Sequence, residues 1–185
     1  MKVLVKIPIF VWIGAATVAI IVAGAYFLTR SQATQLVGES IPILGAQHIP
    51  AGSVAHPPYN SNPPTSGWHW PQPAAWGTYD AELPDEQVIH NLEHGGVWIA
   101  YKVATASAGL ATAAATPSQI GDDEINKLKE IASRFRKIIL APRSANDSAI
   151  AVASWGQLLK LDKLDEGQIV KFIKTNIEHG PESAP

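Results

Sequence analysis

The 185-residue sequence contains no cysteine, and its one methionine is Met1. These absences exclude disulfides, thiolate metal sites, cysteine nucleophiles and the thioether ligands that favour Cu(I). The 14 basic residues are balanced by 16 acidic ones, so no basic stripe is present to neutralise phosphates, and nucleic acid is not expected as a partner. Any bound metal therefore needs imidazole, carboxylate, phenol or water as its ligands.

Charge is also absent from residues 7–28, an apolar run that follows Lys2 and Lys6. In a helix that rises about 1.5 Å per residue, this run spans a bilayer core of about 30 Å. The lysines before it predict a single-pass signal-anchor in the cytoplasmic membrane, with the N-terminus inside and the remaining chain outside. A cleaved signal peptide is the alternative, because Ala23-Gly24-Ala25 fits the small-residue cleavage pattern.

The sequence therefore predicts three parts. Residues 1–30 form a cytoplasmic tip and the transmembrane signal-anchor, and residues 31–47 form a tether that keeps the domain near the membrane. Residues 48–182 form an extracytoplasmic globular domain. An apolar content of 46% is enough for this domain to build a core.

Four of the six histidines lie in a window that is rich in proline and aromatic residues. The segment from His56 to His69 cannot be a helix, because prolines remove donors and favour extended geometry in the preceding residue. It contains more aromatic residues than disordered linkers do. We therefore expect an ordered loop that fixes both histidines. A hydrogen bond within the loop is the alternative role for each of them.

The other two histidines of this window, His90 and His94, lie four residues apart in a predicted helix that starts near Pro84 and ends at Gly95. This spacing puts both imidazoles on one helix face, as two ligands of one metal ion require. Glu93 borders that face and could orient an imidazole, accept a proton or bind a metal. Stabilisation of the helix C-terminus by two cationic histidines is the alternative.

Residues 90–94 also have the His-x-x-Glu-His pattern of inverzincin metallopeptidases, which take a further carboxylate from a second helix. Glu124 and Glu130 are possible ligands of that kind, although no feature of the sequence singles out either one. The pattern supports an alternative function as a zinc-dependent hydrolase of envelope material, with Glu93 as the general base. For His179, a position near a helix end is the main interpretation and a ligand role is the alternative.

Helical and strand-like patterns alternate after the double glycine at 95–96. Strands are predicted over 96–103, 137–142 and 149–155, the last two as a hairpin that 157–161 could extend, and helices over 122–136 and from 164 onward. We expect an α+β fold: a small mixed or antiparallel sheet of about three to four strands, with helices packed on one side of it.

Several segments of the sequence resemble one known bacterial family. The shared segments are His56, Tyr59 to Gly67, His69, Gly77-Thr78-Tyr79 and His90 to Val97, and Trp155-Gly156, the helix with Phe172 and Gly180-Pro181-Glu182 also fit. They are similar to the domain-of-unknown-function family DUF3105 over most of residues 48–182. This resemblance implies an exported, often membrane-anchored bacterial domain, and it implies no activity.

The residues themselves predict a site that binds and handles metal on an extracytoplasmic, membrane-anchored domain. The candidate ligands are His90, His94, His69 and His56, and the candidates for contacts to those ligands are Glu93, Tyr59, Tyr79 and Asp80. A set rich in imidazole and free of sulfur suits a copper or zinc ion, Cu(II) or Zn(II), better than Cu(I), Mg²⁺ or Ca²⁺. A third possible function is a non-catalytic protein-interaction module in which the histidines are structural. The sequence points to no particular protein partner.

Overall fold

The computed structural model describes residues 8, 12, 14, 17–23, 36–103 and 119–182. The chain divides into two compact units, Met1–Gln35 and Leu36–Pro185. Residues 17–23 of the first unit are helical. Most of the span predicted at 7–28 lies outside the described residues, and none of the helices that are described has the length and apolar character to cross a membrane.

The second unit is built on one six-stranded mixed sheet, which confirms the α+β fold and shows that the expected three to four strands is wrong. The strands are β1 (Glu39–Ser40), β2 (Gly77–Thr78), β3 (Val97–Tyr101), β4 (Ile138–Pro142), β5 (Ile150–Ser154) and β6 (Gln157–Leu161), in the spatial order β1-β6-β5-β3-β4-β2. Both strands that the sequence did not reveal, β1 and β2, have two residues each. A two-residue strand is too short to leave an alternating pattern.

The central strand β3 separates two strands that the sequence predicts to be a hairpin. β3 pairs in parallel with β4 and antiparallel with β5, so β4 and β5 are not neighbours and the predicted hairpin is wrong. β5 instead forms a hairpin with β6, and Gly156 at φ 69° supplies the left-handed turn residue between them. A parallel pair needs a long crossover, which helix α2 (Asp122–Ser133) provides between β3 and β4.

Helices cover both faces of the sheet, which corrects the expectation of one covered side. On one face, α1 (Asp85–Glu93) buries Val88 and Leu92 against Trp98 of β3. On the other, α2 and α3 (Glu166–Asn176) pack against alternate residues of the same strands. β3 and β4 are buried on both sides, which explains why they read as continuous apolar runs.

The proline-rich segment is an ordered loop, as predicted, and it packs on α1. Its Trp70 backbone N–H donates to the Glu86 carbonyl, and the Asn91 side chain bonds both the N–H and the carbonyl of Ala74, each at 2.9 Å. The Arg143 guanidinium makes a bidentate pair with Asp85 at 2.7 and 2.8 Å and also donates to Asn62 in the loop. These contacts tie the loop to α1 at both ends of the helix.

Candidate metal centre

Four side chains converge where the proline-rich loop meets the second half of α1. They are His48, His69, His90 and Glu93, and one ligand atom of each lies within 4.8 Å of the others. Three of them are buried, while the His48 side chain is 45% exposed, so the cluster reaches solvent on the His48 side. We call these four residues the His₃Glu cluster.

His48 and His69 come from different parts of the chain and are held side by side by the backbone. Ile49 N–H donates to the His69 carbonyl at 2.8 Å, and His69 N–H donates to the Gln47 carbonyl at 3.0 Å. The two residues form a parallel β-bridge, and their ring centroids are 4.8 Å apart. A backbone pairing, and not the side chains alone, therefore fixes half of the cluster.

Backbone carbonyls fix the tautomers of the two buried imidazoles. Nδ1–H of His69 donates to the Gly67 carbonyl, and Nδ1–H of His90 donates to the Trp70 carbonyl, both at 2.7 Å. A carbonyl only accepts, so each Nδ1 carries a proton and Nε2 is the nitrogen of each ring that is left to bind a metal. Metal-bound histidines in proteins are usually oriented in this way, with the second ring nitrogen donating to a carbonyl or carboxylate.

The Glu93 carboxylate is the acceptor around which the cluster is arranged. Its Oε2 lies 3.0 Å from Nε2 of His69 and 3.7 Å from Nε2 of His48. Because Nδ1 of His69 is already protonated, a neutral ring would present a lone pair to a carboxylate oxygen. That arrangement is repulsive unless Nε2 carries a second proton or a cation lies among these atoms.

Burial keeps His90 in the form that binds metal. Desolvation is the main influence and lowers the pKa of His90, while its hydrogen bond to the Trp70 carbonyl acts in the opposite direction. The ring is therefore neutral at pH 7, with a lone pair on Nε2. Metal ligation requires this deprotonated nitrogen.

His94, the second histidine of the predicted pair, touches the cluster only through His90. Its Nε2 lies 2.8 Å from Nε2 of His90, so the one-turn spacing does bring the two imidazoles together. Its Nδ1 is buried and has no hydrogen bond to any residue in the described part of the chain, and Oε2 of Glu182 lies 3.8 Å away. His94 thus extends the cluster without joining its four ligand atoms.

His56, the fourth predicted ligand, lies outside the cluster in a pair of its own. Its Nε2 is 3.1 Å from Oε1 of Glu86, and its Nδ1–H donates to the Pro57 carbonyl at 2.8 Å. The hydrogen bond to Pro57 is the largest influence on the pKa of His56 and raises it, and Glu86 raises it further. The Tyr59 ring lies beside the His56 ring, tilted by 35° with the centroids 4.4 Å apart, and its hydroxyl donates to the Trp68 carbonyl.

The remaining candidates from the sequence are engaged elsewhere. Asp80 pairs with Lys129 at 3.0 Å, and the Tyr79 hydroxyl donates to the Ala75 carbonyl. Glu124 accepts a hydrogen bond from Gly121 N–H, and Glu130 forms ion pairs with Lys127 and Arg134. His179 donates to the Ile177 carbonyl. Glu124 and Glu130 belong to α2, on the opposite face of the sheet, so neither supplies the further carboxylate of a metallopeptidase.

Sequence reasoning missed two residues of this region. His48 lies outside the histidine-rich window, and nothing in its local sequence indicates that it pairs with the backbone next to His69. Glu86, the partner of His56, could have been predicted from its spacing, because it lies seven residues, or two helical turns, before Glu93. That spacing places both carboxylates on the face of α1 that meets the loop.

Residues 178–182 pack against the C-terminal end of α1 and contact the backbone of Glu93. Gly95 ends the helix at φ 76°, and its carbonyl accepts from Glu178 N–H at 2.8 Å. A Cβ at Gly180 would lie 2.1 Å from the Glu93 carbonyl oxygen, which only glycine allows. Glu182 N–H donates to that same carbonyl at 3.1 Å. The backbone of Glu93 is therefore held by a segment that lies about 90 residues later.

A protein-family model described as "Protein of unknown function (DUF3105)" matches residues 53–185. Neither the curated proteins nor the solved structures contain a significant match to the chain. The matched range includes His69, His90 and Glu93 of the cluster, while His48 precedes it.

Proposed function

We propose a function from the site itself, because the chain belongs to the DUF3105 family and the description of that family names no activity. The proposed function is to bind and handle one Zn(II) or Cu(II) ion at the His₃Glu cluster. The ligand atoms are Nε2 of His48, His69 and His90 and Oε2 of Glu93. One observation carries the proposal: both buried imidazoles donate Nδ1–H to backbone carbonyls, which leaves Nε2 as the ligand nitrogen of each, and one ligand atom from each of the four side chains lies within 4.8 Å of the others.

The spacing of the four ligand atoms supports a single ion. Metal–nitrogen bonds of about 2.0–2.1 Å place tetrahedral ligands about 3.4 Å apart. The ligand atoms here lie within 4.8 Å of one another, so a contraction of at most about 1.4 Å closes the shell. The half-exposed His48 is the ligand with most freedom to make that movement.

The donor set supports zinc or copper among the common metals. Three imidazoles and one carboxylate suit both ions, whereas Mg²⁺ and Ca²⁺ prefer oxygen ligands. One carboxylate also compensates half of the charge of a divalent ion within a buried site. Because Glu93 is itself a ligand in this arrangement, it is not free to act as the general base of a hydrolase. Binding and handling of the metal is therefore the better supported function.

Equilibrium dialysis of the full chain against Zn²⁺ and then Cu²⁺, with elemental analysis, tests this proposal. We expect about one ion per chain for the parent protein and for His56→Ala, and a strong loss for His69→Ala. Since His69 is fully buried and its substitution could disturb folding, His48→Ala provides a second variant at an exposed ligand. Equal metal content in the parent and in both ligand variants would overturn the proposal and favour a module with structural histidines.

The proposed location is the outer side of the cytoplasmic membrane, with residues 7–28 as the anchor. The uncharged run that follows Lys2 and Lys6 supports it. The chain has no cysteine, so a single Asp162→Cys substitution creates a unique label site at an exposed position. A membrane-impermeant maleimide should label this variant on intact bacterial cells and leave Val3→Cys, which keeps both lysines, unlabelled. Labelling of Asp162→Cys only after lysis would contradict the proposed orientation.

A further inference from the structure

A cavity of about 590 Å³ lies away from the His₃Glu cluster, beside the edge strand β2 and the end of α2. It shares no lining residue with the cluster. Its size is within the range of small-molecule sites, about 300–1,000 Å³. The residues that bear on its chemistry are Trp76, Phe135, Arg136, Lys137, Ile138 and Glu178.

Two aromatic rings give this cavity flat apolar walls. Trp76 is 39% exposed, although large apolar side chains are usually better covered. Its ring packs tightly on Gly96, where an added Cβ would lie 2.5 Å from the indole. The absence of a side chain at Gly96 therefore lets the Trp76 ring pack directly against the turn between α1 and β3. Phe135, Ile138 and Ala132 supply further apolar surface.

The charges that line the cavity leave one cation uncompensated. Lys137 pairs with Glu178 at 3.3 Å. Arg136 is exposed, and within the described ranges of the chain no hydrogen bond or ion pair engages its guanidinium. The lining of the cavity therefore suits an anionic ligand, and a guanidinium binds a carboxylate through two parallel hydrogen bonds.

Backbone strain is concentrated at the same place. Among the described residues, only Lys137 (φ 55°) and Glu178 (φ 67°) are non-glycine residues with positive φ, and both line the cavity. Both are held by backbone hydrogen bonds, from Val97 N–H to the Lys137 carbonyl and from Glu178 N–H to the Gly95 carbonyl. Strained residues that the surrounding structure holds in place are concentrated at ligand sites.

We propose that this cavity binds a small aromatic carboxylate, with its ring between Trp76 and Phe135 and its carboxylate on Arg136. This binding site is independent of the metal proposal, because none of its residues is a metal ligand. The ligand class follows from the two flat walls and the single uncompensated guanidinium.

Isothermal titration calorimetry of the full chain with 2-naphthoate tests this inference. The protein is first stripped of metal with a chelator, so that a carboxylate cannot bind through an ion. We expect binding by the parent, and affinities that are lower by about tenfold or more for Arg136→Gln and for the neutral probe 2-naphthamide, since each removes a charge-assisted hydrogen bond. Trp76→Ala should also weaken binding, because it removes one wall.

Arg134→Gln is the matched control. It removes the same charge from a residue two positions earlier, which pairs with Glu130 and Glu166 and does not line the cavity. It should bind 2-naphthoate as the parent does. The inference is overturned if the stripped protein fails to bind the probe, if Arg136→Gln binds like Arg134→Gln, or if the amide binds as tightly as the acid.

Discussion

The loop and helix α1 form two histidine–glutamate pairs that share the same local chemistry. His69 meets Glu93 at 3.0 Å and His56 meets Glu86 at 3.1 Å, in each case through Nε2. In both pairs Nδ1–H donates to a nearby loop carbonyl, that of Gly67 or Pro57. The two glutamates lie two turns apart on one helix face.

The surroundings of the two pairs differ, and this difference separates a ligand set from an ion pair. Around Glu93, the β-bridge and the helix bring in two further imidazoles, and the His69 side chain is fully buried. In the Glu86 pair the ring beside His56 is Tyr59, which donates its hydroxyl to a carbonyl, and the side chains of His56 and Glu86 both retain about 10% exposure. A histidine–glutamate contact alone therefore does not make a metal site, since the site also requires further donors.

The largest expected difference between the pairs is in metal affinity. Glu93→Gln removes an anionic ligand, and we expect the dissociation constant for Zn²⁺ to rise by about 100-fold. Glu86→Gln makes the same chemical change in the other histidine–glutamate pair, and its dissociation constant for Zn²⁺ should stay within about twofold of that of the parent. Competition with a chelating dye at pH 7 measures both. If the two variants lose affinity equally, the distinction between the pairs fails.

Metal-dependent stability provides the next largest effect. Zinc at about 100 times its dissociation constant should add about 2.7 kcal/mol to the free energy of unfolding, because only the folded chain presents the assembled cluster. We expect this gain in the parent and in His56→Ala, and not in His69→Ala. Urea unfolding with and without zinc measures it within each variant, so the intrinsic cost of each substitution cancels. A full gain in His69→Ala would contradict the ligand assignment.

A substitution of His94 tests whether residues next to the four proposed ligands contribute to metal binding. It contacts Nε2 of His90, so it is expected to tune that ligand and not to replace it. His94→Ala should weaken zinc binding by about tenfold, the lower end of the effect of residues that contact ligands. The same dye competition applies. A loss as large as that of Glu93→Gln would make His94 a ligand, as its one-turn spacing from His90 predicts.

The smallest effect concerns the pair that lacks further imidazoles. The pKa of His56 is raised in the folded state, so its contribution to stability is full below its unfolded value of about 6.5 and disappears as pH rises through the folded value. The difference in unfolding free energy between the parent and His56→Gln should therefore be at most about 1 kcal/mol, greatest near pH 6 and smaller near pH 8.5. Urea titrations at both pH values check it. A difference that grows with pH would have the wrong sign.

Local patterns in the sequence were sufficient for some parts of this site. The helical period placed His90 beside His94, and the proline and aromatic content identified an ordered loop that holds His69. These features depend on residues close together in the chain, so periodicity and turn chemistry could predict them.

Other parts depend on contacts between distant segments, which leave no periodic pattern. His48 reaches the cluster through a backbone bridge to residues about 20 positions later. The separation of β4 from β5 by β3 has the same origin, since all three strands are buried along their whole length and their apolar residues do not select one neighbour over another. Both misses therefore concern which distant backbone segments pair with each other.

X-ray absorption at the zinc edge of the loaded full chain tests the central claim most directly. We predict a four-coordinate ion with three imidazoles and one carboxylate oxygen at about 2.0–2.1 Å. His48→Ala should lower the imidazole count by one, and His56→Ala should leave the spectrum unchanged. A spectrum with fewer than three imidazoles in the parent, or one that changes with His56→Ala and not with His48→Ala, would contradict the proposed centre.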